Sequence, residues 1–347
     1  MHLKGVAMLD FRNDYAQVGH PKVIQALVDH GQKIYPGYGT DQACQEAKEK
    51  IWKALGKKEP IYFLPGGTIA NALAMTFQLR PYEGVVTPKT GHIVDHEAGS
   101  MEALGCKLLY LEEEDGKISP EALEVFLSKK RGVAQVLPKV VYISNTTELG
   151  TVYSKEDLEK IYRICKNHDV YLFLDGARLG SALAAEKSHL TFKALPGLCD
   201  FFTIGGTKNG ALFGEALVFN REDLAHNFDR YMKQRGVLTA KSFLLGLQFS
   251  ALFTGDLYME NARWANARAR DLSQGLVDLR LSLAYPPESN QIFVLYPKEK
   301  IADLEKLASF EEDGERDGQA ILRFVTAYHT REEDVEGLLK AIKDLGC

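Results

Sequence analysis

From about residue 40 to 235, short runs of apolar, β-branched and aromatic residues alternate with longer amphipathic stretches. The runs are IYFL (61–64), VVT (85–87), KLLYL (107–111), KVVYI (139–143), VYLFL (170–174), DFFTI (200–204) and EALVF (215–219). A run that is apolar at successive positions buries both faces of its strand, as happens in a mostly parallel sheet covered by helices. The stretches between carry helical punctuation. In DQACQEAKEKIWKALG, Ala43, Ala47, Ile51 and Leu55 recur every fourth residue and Gly56 follows where a helix-terminating glycine belongs. Ser119 before Pro120, and Ser154 before Lys155-Glu156-Asp157, are N-cap sequences. The alternation predicts an α/β chain, a three-layer sandwich with a seven-stranded, mostly parallel sheet and helices on both faces.

After about Gly255 the pattern changes. A long Ala- and Arg-rich helical stretch (258–281) leads to two strand-like runs, QIFVLY and AILRFVTAY, and a closing helix at 331–345. We therefore expect a large domain over 16–255 and a small C-terminal α/β domain over 256–347, with an N-terminal segment, 1–15, packing on the small one. A length of 347 residues suits two domains.

Lys plus Arg number 42 against 47 Asp plus Glu, a net charge of −5 with no long basic run, which argues against nucleic acid or an anionic membrane as partner. The most apolar stretch, VLTAKSFLLGLQFSALF, is interrupted by Lys241, Ser242 and Gln248 and does not suit a membrane span. Five cysteines without a C-x-x-C pair suit a reducing compartment, so a cytoplasmic location is expected. The motifs for dinucleotide binding, the P-loop, zinc hydrolysis and the hydrolase elbow are absent, and no metal site is expected.

Ligands of open α/β sheets bind beyond the carboxyl ends of the strands, and four sequences stand there. Asp175-Gly176-Ala177-Arg178 puts a carboxylate at the mouth of the sheet, where it needs a cationic partner. Lys208, in Gly205-Gly206-Thr207-Lys208-Asn209-Gly210, can reach a cavity; desolvated there, it becomes a nucleophile able to form a Schiff base. Gly66-Gly67-Thr68 opens a helix whose free N–H groups suit a phosphate. His92 follows the run VVT. Singly these read as a turn, a solvated lysine, a capped helix and a structural histidine. Together they are the parts that hold pyridoxal phosphate.

With FLPGGTIAN, LFLDGARLGSAL and TIGGTKNG in this order, and with LDFRNDY, YGTDQ, EAGSMEALG and ILRFVT around them, the chain resembles pyridoxal-phosphate enzymes of fold type I. Within that group it is similar to the threonine aldolase and β-eliminating lyase family. The resemblance implies that Lys208 forms the Schiff base with the cofactor aldehyde and that Asp175 pairs with the pyridine nitrogen. It implies that Gly67 and Thr68 bind the phosphate, that His92 stacks on the ring near the substrate side chain, and that Arg178 and Arg323 hold the substrate carboxylate. Lys241 falls near a basic residue that in relatives reaches the phosphate of a neighbouring subunit, and Tyr38 is a second candidate for an intersubunit contribution. Relatives form homotetramers, so a homo-oligomer is expected.

Two departures bear on the substrate. Asn13 stands where many relatives have Ser beside the substrate carboxylate. Where aldolase relatives commonly read E-N-T-H, this chain reads Ser144-Asn145-Thr146-Thr147 and then Glu148. A threonine hydroxyl hydrogen-bonds but is no base near neutral pH, so His92 or a water does the proton work, or the substrate differs. The expected activity is aldol cleavage of L-threonine, L-allo-threonine or another β-hydroxy-α-amino acid. β-Elimination and transamination are the alternatives on the same scaffold, and a non-catalytic scaffold is disfavoured by the presence of both Lys208 and Asp175.

Overall fold

The computed structural model describes residues 8–346 of the chain, so residues 1–7 of the expected N-terminal segment, and Cys347, lie outside the described residues. Leu9–Asp10 is a two-residue strand, β1. Ile61–Leu64 (β2), Glu83–Pro88 (β3), Lys107–Leu111 (β4), Leu137–Ser144 (β5), Tyr171–Asp175 (β6), Phe201–Gly205 (β7) and Glu215–Phe219 (β8) then form one sheet in the order β2-β8-β7-β6-β5-β3-β4. These are the seven strands expected from the apolar runs, shifted at most by a residue or two. Four neighbouring pairs are parallel; β8 alone runs against both of its neighbours, β2 and β7.

Successive residues of the central strands divide between two cores, one per face, as the two-residue strand period requires. Val86, Val141, Ile143, Leu172, Leu174 and Phe202 join one core; Val85, Val140, Tyr142, Phe173 and Phe201 join the other. Each fully buried side chain of this size contributes roughly 1.5–3 kcal/mol. The helix Gln42–Leu55 turns Ala47, Ile51 and Leu55 into the first core. Asp41 caps it by accepting the Cys44 N–H at 2.8 Å, and Gly56 ends it in the left-handed conformation at φ 71°. Ser119 and Ser154 cap the helices Pro120–Leu127 and Lys155–Asn167, the latter through a reciprocal capping box with Asp157.

Beyond the large sheet lie Gln291–Tyr296 (β9), Ala308–Ser309 (β10), Glu311–Arg316 (β11) and Gln319–Val325 (β12). The order β11-β12-β9 makes an antiparallel sheet, and β10 pairs in parallel with β1. The helices Leu257–Asp278 and Glu332–Asp344 cover this sheet through Leu272, Leu276, Leu338 and Ile342. Phe11 is buried in the same core, and its backbone bonds Ser309 and Val325. Strand β11 carried no apolar signal: its six residues, EEDGER, are all exposed, and an edge strand with one free side tolerates such charge.

Candidate active site

Because six of the seven large-sheet strands run the same way, the segments after β2, β3, β5, β6 and β7 emerge on one edge. The reversed β8 begins on that edge, so its first residue, Glu215, pairs with Gly205 at the end of β7. Facing this edge are Glu311 to Asp313 and Arg323 from β11 and β12. Between them is a cavity of about 920 Å3. Of the residues expected at the site, Gly67, Thr68, His92, Thr147, Asp175, Arg178, Lys208 and Arg323 line it together.

Asp175, the last residue of β6, is 4% exposed. Its Oδ2 accepts from Asn71 Nδ2 at 2.7 Å and from the Tyr142 hydroxyl at 2.8 Å; its Oδ1 accepts the Ala177 N–H at 2.9 Å. The carboxylate is thereby fixed at the cavity wall. Burial, reinforced by the charge of Arg178, pushes the Lys208 ammonium below the ordinary lysine range, and the carboxylates of Asp14, Asp175 and Glu215 oppose the shift. A lysine so placed has access to its neutral, nucleophilic form. Glu215 accepts the Gly206 N–H at 3.1 Å, and burial pushes its carboxyl up to about 8.

The helix Gly67–Thr76 starts at the cavity with no side chain capping its first turn, and Thr68 is exposed there. A Cβ added at Gly66 or Gly67 would meet no atom within 4 Å, so these glycines keep open space beside free N–H groups. Gly176 and Gly205 differ: a Cβ there would lie 2.0 Å from the Thr203 carbonyl oxygen or 2.1 Å from that of Ala177. The first pair makes room for a ligand; the second lets two backbones touch.

His92 begins a four-residue helical turn, and its Nδ1 lies 2.9 Å from Glu97 Oε1. That buried carboxylate also accepts from Asn71 and Ser100, at 2.9 and 2.7 Å. One amide, Asn71, thus links the histidine's partner to Asp175. Thr147 lines the cavity with its hydroxyl committed to Thr151, 2.8 Å away.

Arg178 makes a two-point ion pair with the buried Asp14, Nε to Oδ2 at 2.7 Å and Nη2 to Oδ1 at 3.1 Å, and Asn290 donates to the same carboxylate at 3.0 Å. Part of the guanidinium expected to face a substrate is therefore used to hold it in place. The neighbouring Asn13 accepts the Tyr15 N–H in a local turn and is not among the lining residues. Tyr38 and Lys241 also stand outside this cavity. Both are exposed, on segments that touch where Gly37 approaches Ala240, and Lys233 sits 4.1 Å over the Tyr38 ring.

Five cavity-lining side chains hold a buried polar atom with no hydrogen-bond partner among the described residues: Asn71 Oδ1, Thr90 Oγ1, Glu148 Oε2, Gln291 Oε1 and Arg323 Nε. Buried polar atoms are nearly always paired, and their concentration here is the mark of a polar ligand's seat. A buried carboxylate near an amine, an uncapped helix start and an unpaired arginine match the donor set of an anionic heterocycle with an aldehyde, so pyridoxal phosphate fits these residues. Asp14, Asn71, Glu97, Tyr142, Glu148 and Glu215 had no assigned role from sequence. Asp14 in LDFRNDY, Asn71 in FLPGGTIAN, Glu97 in EAGSMEALG and Glu148 after the altered SNTT lay in segments already singled out, while Tyr142 and Glu215 lay in apolar runs read only as strands.

The family described as beta-eliminating lyase matches residues 10–298. A low specificity L-threonine aldolase of Pseudomonas aeruginosa is 32% identical over 280 residues, covering 79% of this chain and 80% of that protein. A Leishmania major threonine aldolase superposes with a TM-score of 0.95 at 38% identity, covering 97% of this chain and 99% of that one. A PLP-bound putative aminotransferase from Clostridium difficile 630 gives a TM-score of 0.72 at 14% identity over 97% of this chain and 92% of that one, a likeness of fold alone.

Proposed function

This chain belongs to the beta-eliminating lyase family, and from that premise we propose that it is a pyridoxal-phosphate-dependent carbon–carbon lyase cleaving L-threonine, L-allo-threonine and related β-hydroxy-α-amino acids to glycine and an aldehyde. The likeness to the Pseudomonas and Leishmania threonine aldolases supports the reaction. The observation that carries the cofactor is the convergence of Lys208, Asp175 and the open Gly66–Gly67 helix start on one cavity.

When bound, the cofactor supplies an aldehyde that condenses with amines and a cationic ring that takes up the electron pair released at Cα. The protein's part is to bind and orient. Lys208, its ammonium weakened by burial, would hold the cofactor aldehyde and exchange a proton at Nζ. Asp175, steadied by Asn71 and Tyr142, would hold a pyridine N–H. The first N–H groups of Gly67–Thr76 and the Thr68 hydroxyl would receive the phosphate. His92, set by Glu97, would help to hold the ring. Arg323, with Arg178 braced by Asp14, fixes the substrate carboxylate and with it the Cα torsion; such positioning lowers a barrier by several kcal/mol.

Tyr38 and Lys241 fit a contribution to the cavity of a neighbouring copy, so the proposal includes a homo-oligomer, a tetramer by the family resemblance. Cys44, Cys106, Cys165 and Cys199 are buried and unpaired, which accords with a cytoplasmic location.

The test is a product assay on purified, cofactor-loaded protein. Glycine plus acetaldehyde from L-threonine is expected. The protein should be yellow, bleached by borohydride, and colourless as Lys208→Ala. A keto acid plus ammonia would replace the aldolase reading with β-elimination, and wild-type protein that takes up no cofactor would overturn both.

A further inference from the structure

Aldol cleavage needs a base at the β-hydroxyl of the substrate, and the chain has a threonine at 147. The hydrogen bonds around that threonine leave it no part in proton transfer. Thr151 donates its only hydroxyl proton to the Asp115 carbonyl at 2.6 Å, so the 2.8 Å contact between the two threonines uses the proton of Thr147. The Thr151 N–H donates to Thr147 Oγ1 at 3.2 Å as well. A hydroxyl whose proton is so committed has only one lone pair left to accept with, and an alcohol is no base near neutral pH.

The next residue is different. Glu148 lines the same cavity as Lys208 and Asp175. Its Oε1 accepts the Ser144 hydroxyl at 2.6 Å and the backbone N–H of His92 at 3.0 Å. Its Oε2 is buried and has no partner among the described residues.

Ser144 opens a file of hydroxyls. Its Oγ lies 3.0 Å from the Tyr142 hydroxyl, which lies 2.8 Å from Asp175 Oδ2. Two carboxylates are thus joined through two hydroxyls by three contacts. With both carboxylates ionised, two hydroxyl protons serve those three contacts. One added proton on Glu148 lets the carboxyl donate to Ser144, Ser144 to Tyr142 and Tyr142 to Asp175, so every contact gains a hydrogen. The network is a slot for a single proton.

We infer that Glu148 is the catalytic base that receives the β-hydroxyl proton. This role rests on the aldolase reading given above. The electrostatic setting agrees: burial pushes the Glu148 carboxyl above the ordinary range and the nearby charge of Asp175 adds to the push, while the Ser144 hydroxyl and His92 oppose it. A carboxyl raised toward neutrality is a better-matched base. In the step, Glu148 takes the proton, the O–H electron pair becomes the second bond of the aldehyde carbonyl, and the Cα–Cβ pair stays on Cα. The proton count closes when Cα takes up one proton to give glycine and Glu148 returns its own to solvent.

Glycine has no β-hydroxyl, so exchange of its α-protons in deuterium oxide, followed by NMR, bypasses this base. Glu148→Gln keeps the side chain's shape and an acceptor for Ser144. The expected result is cleavage of L-threonine lowered about 100-fold or more with glycine exchange retained. Infrared difference spectra of the cofactor-free protein between acid and neutral pH should lose one carboxyl band in the variant. Unchanged cleavage would overturn the role. Cleavage and exchange falling together would also overturn it, leaving Glu148 as a brace for His92. If Glu148→Gln does not fold, Glu148→Asp keeps a titrating carboxyl drawn back by one methylene, and lowered cleavage beside retained exchange is again the supporting result. Wild-type protein that exchanges glycine yet cleaves no β-hydroxy amino acid would overturn the aldolase reading, and this role with it, before any variant is made.

Discussion

Asn71 donates to Asp175 at 2.7 Å across 104 residues of chain, and the same amide nitrogen reaches Glu97 at 2.9 Å. The helix Gly67–Thr76 and strand β6 are thereby tied at the point where a pyridine nitrogen would be held. A hydrogen bond to a charged group is worth about 1.5–3 kcal/mol. Asn71→Ala should weaken cofactor binding by about 10- to 100-fold, measured by fluorescence titration of cofactor-free protein. Unaltered affinity would show that Asp175 needs only Tyr142.

The two kinds of glycine at the strand ends should fail differently. Gly67→Ala places a methyl group in open space, so the melting temperature should hold while cofactor affinity drops. Gly205→Ala drives a methyl group to 2.1 Å from the Ala177 carbonyl oxygen, and a loss of about 1–3 kcal/mol or more is expected from such overpacking. Denaturant unfolding of both variants beside a cofactor titration separates the outcomes. Equal destabilisation would contradict the distinction.

Arg323 has a buried Nε without a partner among the described residues, at the cavity wall on β12. Arg323→Ala should raise KM for L-threonine by about 10- to 100-fold with little change in cofactor affinity, as for loss of a bidentate carboxylate contact. Arg323→Lys should recover only part, because an ammonium lacks the planar fork. A loss of cofactor affinity equal to the loss of substrate affinity would move this arginine to the cofactor.

Glu215 carries a pH signature. Its carboxyl is raised by burial from the ordinary 4.5 to about 8. Between those values the unfolded chain has lost this proton and the folded one keeps it, so stability falls as pH rises through the window. Glu215→Gln removes that slope. Urea unfolding of cofactor-free protein should show the variant gaining on wild type from about pH 5 to pH 8 and levelling off above. A gap that stays constant over this range would mean that Glu215 is already ionised in the folded protein.

The strands were legible because each has apolar residues on both faces, and the helix starts because their caps are local. The residues that would grip the cofactor were legible as motifs at strand ends. Their supports were not: Asp14, Glu97 and Tyr142 act on residues 164, 5 and 33 positions away, and no spacing marks such pairs. Glu215 was hidden for a topological reason. Only the reversal of β8 brings the first residue of that strand to the edge where the other strands end. Thr147 was read from its place in a motif, whereas its hydroxyl is decided by Thr151 and Asp115 nearby.

The carboxylate of Asp14 has a consequence for how the protein is made. It is held by Arg178 and by Asn290, and Asn290 stands 276 residues after Asp14 itself. At about 5–20 residues per second, a ribosome needs tens of seconds between the two. Over that interval the large sheet can assemble, but the arginine's brace is incomplete and its pocket stays unfinished. Nascent chains stalled before residue 290 should therefore bind cofactor poorly however well their strands have formed, and competence should arrive late, with the small sheet.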